Sequence, residues 1–342
     1  MTRSVVWIAL LLALLEARGA EGQPSPPARL EHAVALIAEA RYAEAQQILE
    51  QIAGSLGEAS GGQVHYHLAV CHIKQRQWTQ AEEALKISFQ RSAPTLPGIF
   101  MNAFVLFHRG RYNESLAAIS GYLEKDPGNA EAHKVKGLSY FMLGRQGEAE
   151  AELKRAAALD PRDSDSFYYL GRIFFSRSNM PGALASFEQA IRLSPDSVRA
   201  YNHLGQTLEG LADFPAARDA YLKAIALEQQ QPVKSQWPYF NLGGLYIKEG
   251  QAREAIGYLR QALARNPAWA EGKIRLAVAL SSTGQCQEAL ALLDDVIRTN
   301  PKDADAHYQL SRVLRKIGRR KQAEEHALMF ETLRKPKLSR AE

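Results

Sequence analysis

The chain has 342 residues, of which 46% are hydrophobic and 23% charged, with a formal net charge of +5 and two cysteines. So few cysteines exclude the disulfide framework that stabilises many exported domains, and apolar packing has to hold the fold together. The positive charge is local, because residues 312–342 contain ten Lys or Arg and four Glu, which leaves a balance of −1 for the rest.

The N-terminal residues 1–19 have the pattern of a secretory signal peptide. An arginine is followed by an apolar run from Val5 to Leu15, and small residues at Ala17 and Gly19 suit cleavage after Gly19. Cleavage after Ala20 or Gly22 is the alternative. A run of eleven apolar residues is shorter than the roughly 20 that a membrane-spanning helix needs, which argues against an uncleaved anchor. We therefore predict an exported, periplasmic or secreted protein without a transmembrane span in its mature chain.

Residues 20–28 are rich in proline and predict a short stiff linker. From residue 29 to residue 334 one unit repeats, mostly every 34 residues, with one small residue in each half. The first small position is occupied by Ala33, Ala69, Ala103, Gly137, Gly171, Gly205, Gly243, Ala277 and Ser311. The second is occupied by Ala45, Ala81, Ser115, Ala149, Ala183, Ala217, Ala255, Ala289 and Ala323. Two positions in step indicate nine repeats.

Each unit has the spacing of two short amphipathic helices. In residues 164–197, large and small residues recur at helical intervals on both sides of the breaker pair Ser178 and Asn179. Small residues let two helices approach to about 8–10 Å, and the large ones fill the remaining space. The sequence therefore predicts a helix-turn-helix unit.

The turns agree with this register. A residue of left-handed conformation is expected after each first helix, with Asn179 taking that role in the fifth unit. Glycine stands there in five units, at Gly110, Gly144, Gly250, Gly284 and Gly318. Several first helices should begin after a capping residue, namely Asn129, Asp163, Ser197 and Asp303. Two extra residues between the first and second units, and four between the sixth and seventh, are expected to lie in loops.

This pattern resembles the tetratricopeptide repeat (TPR), a 34-residue helix-turn-helix unit. The resemblance implies an all-α fold, a right-handed α-solenoid of about nine units, formed by residues 29–334 as one domain with a basic tail at 335–342. The third to ninth units match well. The first two are looser, because His65 and His72 stand where the family usually has large aromatic residues.

The resemblance also implies that the first helices line a concave groove, with partner-binding residues at positions offset from the packing ones. We predict that the groove binds an extended apolar peptide or an amphipathic helix. The predicted groove residues are Phe100, Phe104, Phe107, Lys134, Leu138, Phe141, Tyr168, Arg172, Phe175, Asn202, Gln206, Trp237 and Phe240. Glu209, Ile247 and Tyr308 occupy related positions. For each aromatic residue, simple packing between first helices is the alternative.

A basic cluster follows in the last unit. It comprises Arg312, Arg315, Lys316, Arg319 and Arg320, and is expected to form the polar cap that an exposed solenoid end requires. An alternative role is peripheral association with acidic partners or anionic lipid of the cell envelope. Nucleic acid is not an expected partner.

The sequence contains one group of potential metal ligands and none of the common catalytic motifs. His65, His67, Cys71 and His72 are close in sequence, yet they divide between two helix faces, so we expect core histidines and no metal. No phosphate loop, HExxH or GxSxG motif is present, so neither a cofactor nor an enzyme is predicted. Cys71 and Cys286 lie six repeats apart and are expected to remain free thiols.

The sequence thus predicts an exported, non-enzymatic scaffold for protein–protein interactions, in cell-envelope or secretion-system assembly. The chaperone-tail site of the family is not expected, because Lys134 is followed four residues later by Leu138 instead of asparagine. The alternative function is an accessory subunit that presents a substrate or polysaccharide to a separate enzyme. In that case Arg172 and Trp237 would matter more than the phenylalanines.

Overall fold

The computed structural model of the chain describes residues 25–54 and 58–334. The predicted signal peptide, the start of the predicted linker and the basic tail lie outside these residues. The described part contains helices and no strand. It divides into two compact units, Met1–Leu159 and Asp160–Glu342, which we call unit 1 and unit 2.

The described residues of unit 1 form four helix pairs. Their helices are α1 (Pro26–Ala38), α2 (Tyr42–Ile52), α3 (Glu58–Lys74), α4 (Trp78–Arg91), α5 (Leu96–His108), α6 (Tyr112–Leu123), α7 (Ala130–Met142) and α8 (Gln146–Leu159). The first helix begins at Pro26, inside the segment predicted to be a linker, because proline is well tolerated in the first turn of a helix.

In unit 2, residues 160–334 form five helix pairs. Their helices are α9 (Ser164–Ser176), α10 (Met180–Leu193), α11 (Val198–Gly210), α12 (Phe214–Gln230), α13 (Trp237–Lys248), α14 (Ala252–Arg265), α15 (Ala270–Ser282), α16 (Cys286–Thr299), α17 (Ala304–Lys316) and α18 (Arg320–Arg334). Helix α12 has 17 residues whereas α10 and α14 have 14. Most of the four-residue excess therefore extends a helix, which corrects the prediction that it lies wholly in a loop.

The small residues of the repeat lie where the two helices of each pair meet. All eighteen predicted small positions are buried. A Cβ atom added to Gly171 would lie 2.7 Å from Cε1 of Phe187, and one added to Gly205 would lie 2.5 Å from the ring of Tyr221. Such distances are closer than van der Waals contact, so the large residue of the second helix occupies the space that the small one leaves. This confirms the register and the all-α repeat fold.

The turns inside the pairs follow the prediction with one correction. The five turn glycines have φ between 74° and 87°. In the fifth pair the left-handed residue is Ser178, with φ of 58°, and not Asn179. Asn179 is instead the N-cap of α10, where its side chain accepts a hydrogen bond from the amide of Gly182 at 3.1 Å.

The capping residues that precede first helices are confirmed. Asn129, Asp163, Ser197 and Asp303 each accept a hydrogen bond from the backbone amide three residues later. These bonds satisfy amides that have no partner within the helix, and so fix where α7, α9, α11 and α17 begin.

Candidate functional site

The first helices of unit 2 line a groove, which we call the distal groove. Its cavity has a volume of about 870 Å³ and is bordered by residues of α9, α11, α13, α15 and α17. Four predicted groove residues lie on its wall, namely Phe175, Gln206, Trp237 and Phe240, together with the related positions Glu209, Ile247 and Tyr308. The structure therefore brings residues of five repeats to one cavity.

Two apolar wall residues, Ile274 and Val278 of α15, were missed by the sequence reasoning. They stand three residues before and one residue after the small position Ala277. The same offsets, counted from the small position Gly171, give Tyr168 and Arg172 in the fifth repeat. The repeat register therefore predicts Ile274 and Val278 as groove residues of the eighth repeat.

Two aromatic rings of the groove wall, those of Trp237 and Phe240, pack against the ring of Trp269. The rings of Phe240 and Trp269 lie 4.3 Å apart, and that of Trp237 lies 4.9 Å from Trp269. Phe240 is almost fully buried, whereas Trp237 is 45% exposed. Trp237 therefore presents an open apolar face, supported from behind by two packed rings.

Arg275 of α15 adds a cation to this wall. Its guanidinium carbon lies 3.6 Å from the centre of the Phe240 ring, a cation–π contact. A Cβ at Gly244 would lie 3.0 Å from its Nη1, so the missing side chain makes room for the guanidinium. Its ion pair with Glu271 is long, at 3.5 Å, and burial lowers the pKa of Arg275. The cation thus borders the cavity, with Glu271 and the more remote Glu209 as acidic neighbours.

A further part of the groove wall, near Arg275, is polar. The carboxylate of Glu209 accepts hydrogen bonds from the hydroxyl of Tyr221 and from Nζ of Lys248, the latter at 2.6 Å. Burial and the neighbouring Glu209 raise the pKa of Tyr221, so this hydroxyl stays protonated. The network links α11 to α12 and α13 and fixes Glu209 at the rim.

A second cavity, of about 770 Å³, continues the distal groove, because Gln206 and Trp237 border both. The predicted residues Tyr168 and Arg172 lie here, as does Val233 of the loop before α13, whose side chain is 78% exposed. The extra length between the sixth and seventh repeats therefore forms part of the wall.

The predicted groove residue Asn202 has a largely structural position. It borders the second cavity but is only 5% exposed, and its Oδ1 accepts a hydrogen bond from Nδ2 of Asn241 at 2.9 Å. This buried bond joins α11 to α13. Nearby, burial and then the cations Arg172 and Arg199 lower the pKa of His203, which is therefore neutral at pH 7.

In unit 1 the predicted groove aromatics pack against other rings. Phe104 lies 6.0 Å from Trp78 and 4.5 Å from His108, and Phe100 lies 5.5 Å from Tyr122. Phe107 lies 5.7 Å from Tyr112. Packing, the alternative role of Phe100, Phe104 and Phe107, accounts for these contacts.

The remaining predicted residues of unit 1 are half-buried as well. Nζ of Lys134 pairs with Glu131 at 2.6 Å, while Leu138 and Phe141 lie on the same helix, α7. A partner-binding role for this part of the array stays a prediction.

The basic cluster of the ninth repeat is exposed, as expected for a polar end of the repeat array. Lys316 donates a hydrogen bond to the carbonyl oxygen of Ser281, and Arg312 lies 5.7 Å from the ring centre of Tyr308. Arg312 and Lys316 border a small cavity of about 200 Å³ beside Val278. Arg315, Arg319 and Arg320 are exposed at the same end.

The histidines of α3 have structural contacts. Nδ1 of His65 lies 2.7 Å from the carbonyl oxygen of Gly61, and Nδ1 of His72 lies 2.6 Å from Oε1 of Gln77. The ring of His67 lies edge-on to Tyr66 at 5.2 Å. Within residues 25–54 and 58–334 no three potential metal ligands lie together.

Both cysteines are free and buried, and burial raises the pKa of Cys71 to about 11. Because both thiols are buried and Cys71 is largely protonated at pH 8, iodoacetamide is expected to label the native protein very slowly. Unfolding without reductant should make both thiols reactive, as mass spectrometry would show. Rapid labelling of the native protein, or unlabelled cysteines after unfolding, would contradict this expectation.

Models of the tetratricopeptide repeat match residues 101–164, 198–231, 246–308 and 284–327, and a TPR repeat model matches residues 171–211. Together they cover more than half of the chain. The chain belongs to the tetratricopeptide repeat family. No curated protein sequence matches it significantly.

Solved structures support the TPR fold. PilF of Pseudomonas aeruginosa is 19% identical with a TM-score of 0.54, and the match covers 62% of this chain and 94% of PilF. PilW, described as a type IV pilus biogenesis factor, is 22% identical with a TM-score of 0.54, over 59% of this chain and 92% of PilW. The C-terminal part of a TPR protein from Cytophaga hutchinsonii is 16% identical with a TM-score of 0.53, over 72% and 99%.

The TPR family and its fold support a scaffold for protein–protein interactions, with protein partners. Across the part of the chain that the structure describes, no helix combines the length and the apolar character needed to cross a membrane.

Proposed function

We propose that this TPR protein is an exported, non-enzymatic scaffold that binds a segment of another protein in the distal groove. The observation that carries the proposal is the continuity of the two cavities, of about 870 and 770 Å³, through Gln206 and Trp237. A continuous groove of this size suits an elongated ligand. The five first helices around it hold their side chains in fixed positions, so binding requires little ordering of the scaffold.

The chemistry of the wall defines the segment. Trp237, Ile274 and Val278 offer an apolar surface, which favours large apolar side chains in the ligand. Gln206 and Gln309 offer amide groups for backbone hydrogen bonds of an extended chain. Arg275 lies on the same wall and can pair with an acidic group. We therefore infer a segment that combines bulky apolar residues with at least one carboxylate.

The setting is part of the proposal. The N-terminal pattern of residues 1–19 supports export. We propose a role in cell-envelope or secretion-system assembly. The basic end would then associate peripherally with the envelope. The second candidate is an accessory subunit that presents a substrate or polysaccharide to a separate enzyme. It is favoured by the 45% exposed Trp237 ring, because aromatic faces can stack on sugar rings.

Photo-crosslinking in cells of the source organism tests the proposal. A crosslinking residue at Ile274 is expected to capture one protein in high yield. The same residue at Leu222 of α12, which is apolar and 37% exposed but borders neither cavity, is the matched control. With the captured segment as ligand, Trp237→Ser should weaken binding about tenfold or more, and Leu222→Ser should leave it unchanged.

Equal capture from both positions would contradict a groove site. Capture of glycan from position 274, with no protein, would support the accessory subunit instead.

A further inference from the structure

Two histidine rings face each other in the last helix pair. Nδ1 of His307 on α17 lies 2.8 Å from Nδ1 of His326 on α18, and the ring centres are 5.0 Å apart. The side chain of His307 is only 4% exposed, and that of His326 is half-buried. At this distance one nitrogen has to carry a hydrogen and the other a lone pair.

The surroundings decide which nitrogen donates. Nε2 of His307 lies 3.1 Å from the carbonyl oxygen of Pro301, which can only accept, so this nitrogen carries the hydrogen. In neutral His307 the lone pair is therefore on Nδ1, and His326 donates its Nδ1–H to it. A first added proton can bind Nε2 of His326 without breaking the bond.

A second proton has a different effect. It has to bind Nδ1 of His307, where it meets the Nδ1–H of His326. The hydrogen bond is then lost, and two positive rings remain in contact at a partly buried site. Protonation of both rings therefore opposes the packing of α18 on α17.

The fourth helix pair offers a built-in comparison. His133 of α7 has its Nε2 at 3.1 Å from the carbonyl oxygen of Pro127 and its Nδ1 at 2.6 Å from Oε2 of Glu152 on α8. The two partners are 19 residues apart in both pairs, and the proline precedes the histidine by six residues in both. In the fourth pair both ring nitrogens face oxygen acceptors, so two N–H donors never have to meet there.

Charges around the last pair give the sign of the pH effect. Burial and then His307 lower the pKa of His326, while Asp294 of α16 and Glu325 of α18 raise it, and the net shift is downward. The unfolded chain therefore binds this proton more readily than the folded one. The stability that this shift contributes is present above the unfolded pKa of His326, about 6.5, and is lost as the pH falls through the lowered folded value.

We propose that His307 and His326 form an acid-sensitive latch, which holds α18 against α17 at neutral pH and releases it when both rings are protonated. Release uncovers apolar residues of the common core, including Leu310 and Leu314 of α17 and Ala323 of α18. Helix α17 also supplies Asp305, Tyr308 and Gln309 to the distal groove. The latch thus places a pH-dependent element at one end of that groove.

Hydrogen exchange of the full chain, measured by mass spectrometry and corrected for the intrinsic pH dependence of exchange, tests the latch. Between pH 7.5 and pH 5.0 the protection of α18 should fall about tenfold, because a hydrogen bond is lost and two charged rings are left in contact. The protection of α16, and that of the α7–α8 pair with His133 and Glu152, should change far less. An unchanged α18, or equal loss in α16 and α18, would overturn the proposal.

Two variants separate a latch from a merely structural contact. His326→Glu recreates the partner of the fourth pair, so the sign should reverse and α18 should be at least as protected at pH 5.0 as at pH 7.5. His326→Gln removes the second titrating ring and should abolish most of the pH dependence. Retention of the wild-type loss of protection in both variants would show that other groups cause it.

Discussion

Replacing Glu228 with alanine is expected to lower the free energy of unfolding by about 3 to 5 kcal/mol, because it leaves a buried cation without its partner. The side chain of Glu228 is 1% exposed and that of Arg265 is 17% exposed. The carboxylate accepts hydrogen bonds at 2.9 Å from Nε and Nη2 of Arg265 and from the hydroxyl of Tyr239, and at 3.1 Å from the amide of Ser235. Chemical denaturation followed by tryptophan fluorescence would measure the change.

The chain supplies a matched control for this experiment. Arg260 and Glu288 are also joined by two hydrogen bonds of 2.9 Å, both donated by Nη2 of Arg260, but their side chains are 53% and 44% exposed. Glu288→Ala should therefore cost less than about 1 kcal/mol. Equal losses of unfolding free energy in the two variants would show that the buried Glu228–Arg265 pair is no more important for stability than the exposed pair.

The contribution of the Glu228 carboxylate to the free energy of unfolding depends on pH, and the direction of its pKa shift gives the sign. Burial alone would raise the pKa of Glu228, but hydrogen bonds from Arg265, Tyr239 and Ser235 outweigh it, so the pKa is lowered. The folded state therefore holds this proton less tightly than the unfolded state does. The stabilisation is present above the unfolded pKa of about 4.3 and is lost as the pH falls through the folded value.

Gly171→Leu is expected to destabilise the fifth helix pair by at least about 1 to 3 kcal/mol, the usual cost of overpacking. Even the first added carbon would lie 2.7 to 2.9 Å from three atoms of the Phe187 ring, so a leucine has to push α9 away from α10. The melting temperature, together with hydrogen exchange in α9 and α10, would measure the effect.

Control variants test the cause of that loss. Gly257 lies in α14 with no atom within 4 Å of its added Cβ, so Gly257→Ala should stabilise the protein by up to about 1 kcal/mol. Combining Gly171→Ala with Phe187→Leu should restore part of the stability lost in Gly171→Ala alone. An unchanged melting temperature in Gly171→Leu would refute the packing register.

The groove residues were predicted only in part. Gln206, Trp237 and Phe240 were found because their offsets from the small positions are fixed by the helical period. Arg275 could not be assigned to the wall, because its position depends on space left by Gly244 of another helix. Asn202 has the right offset but is largely buried, since its amide bonds to Asn241 from the next first helix.

The sequence by itself determined the repeat, its count, the buried small positions and most of the turns, because these depend on contacts within one unit or with its direct neighbour. Left-handed turns and N-caps are likewise local, and the one misassigned turn, Ser178, was wrong by a single residue. The tertiary structure alone decided which first helices share a cavity, which aromatics pack instead of facing it, and where Glu228 and the His307–His326 pair find partners. The cavity and the contacts of Glu228 join residues of different repeats, whereas the His307–His326 contact lies within one pair but depends on side chains that the repeat pattern does not specify.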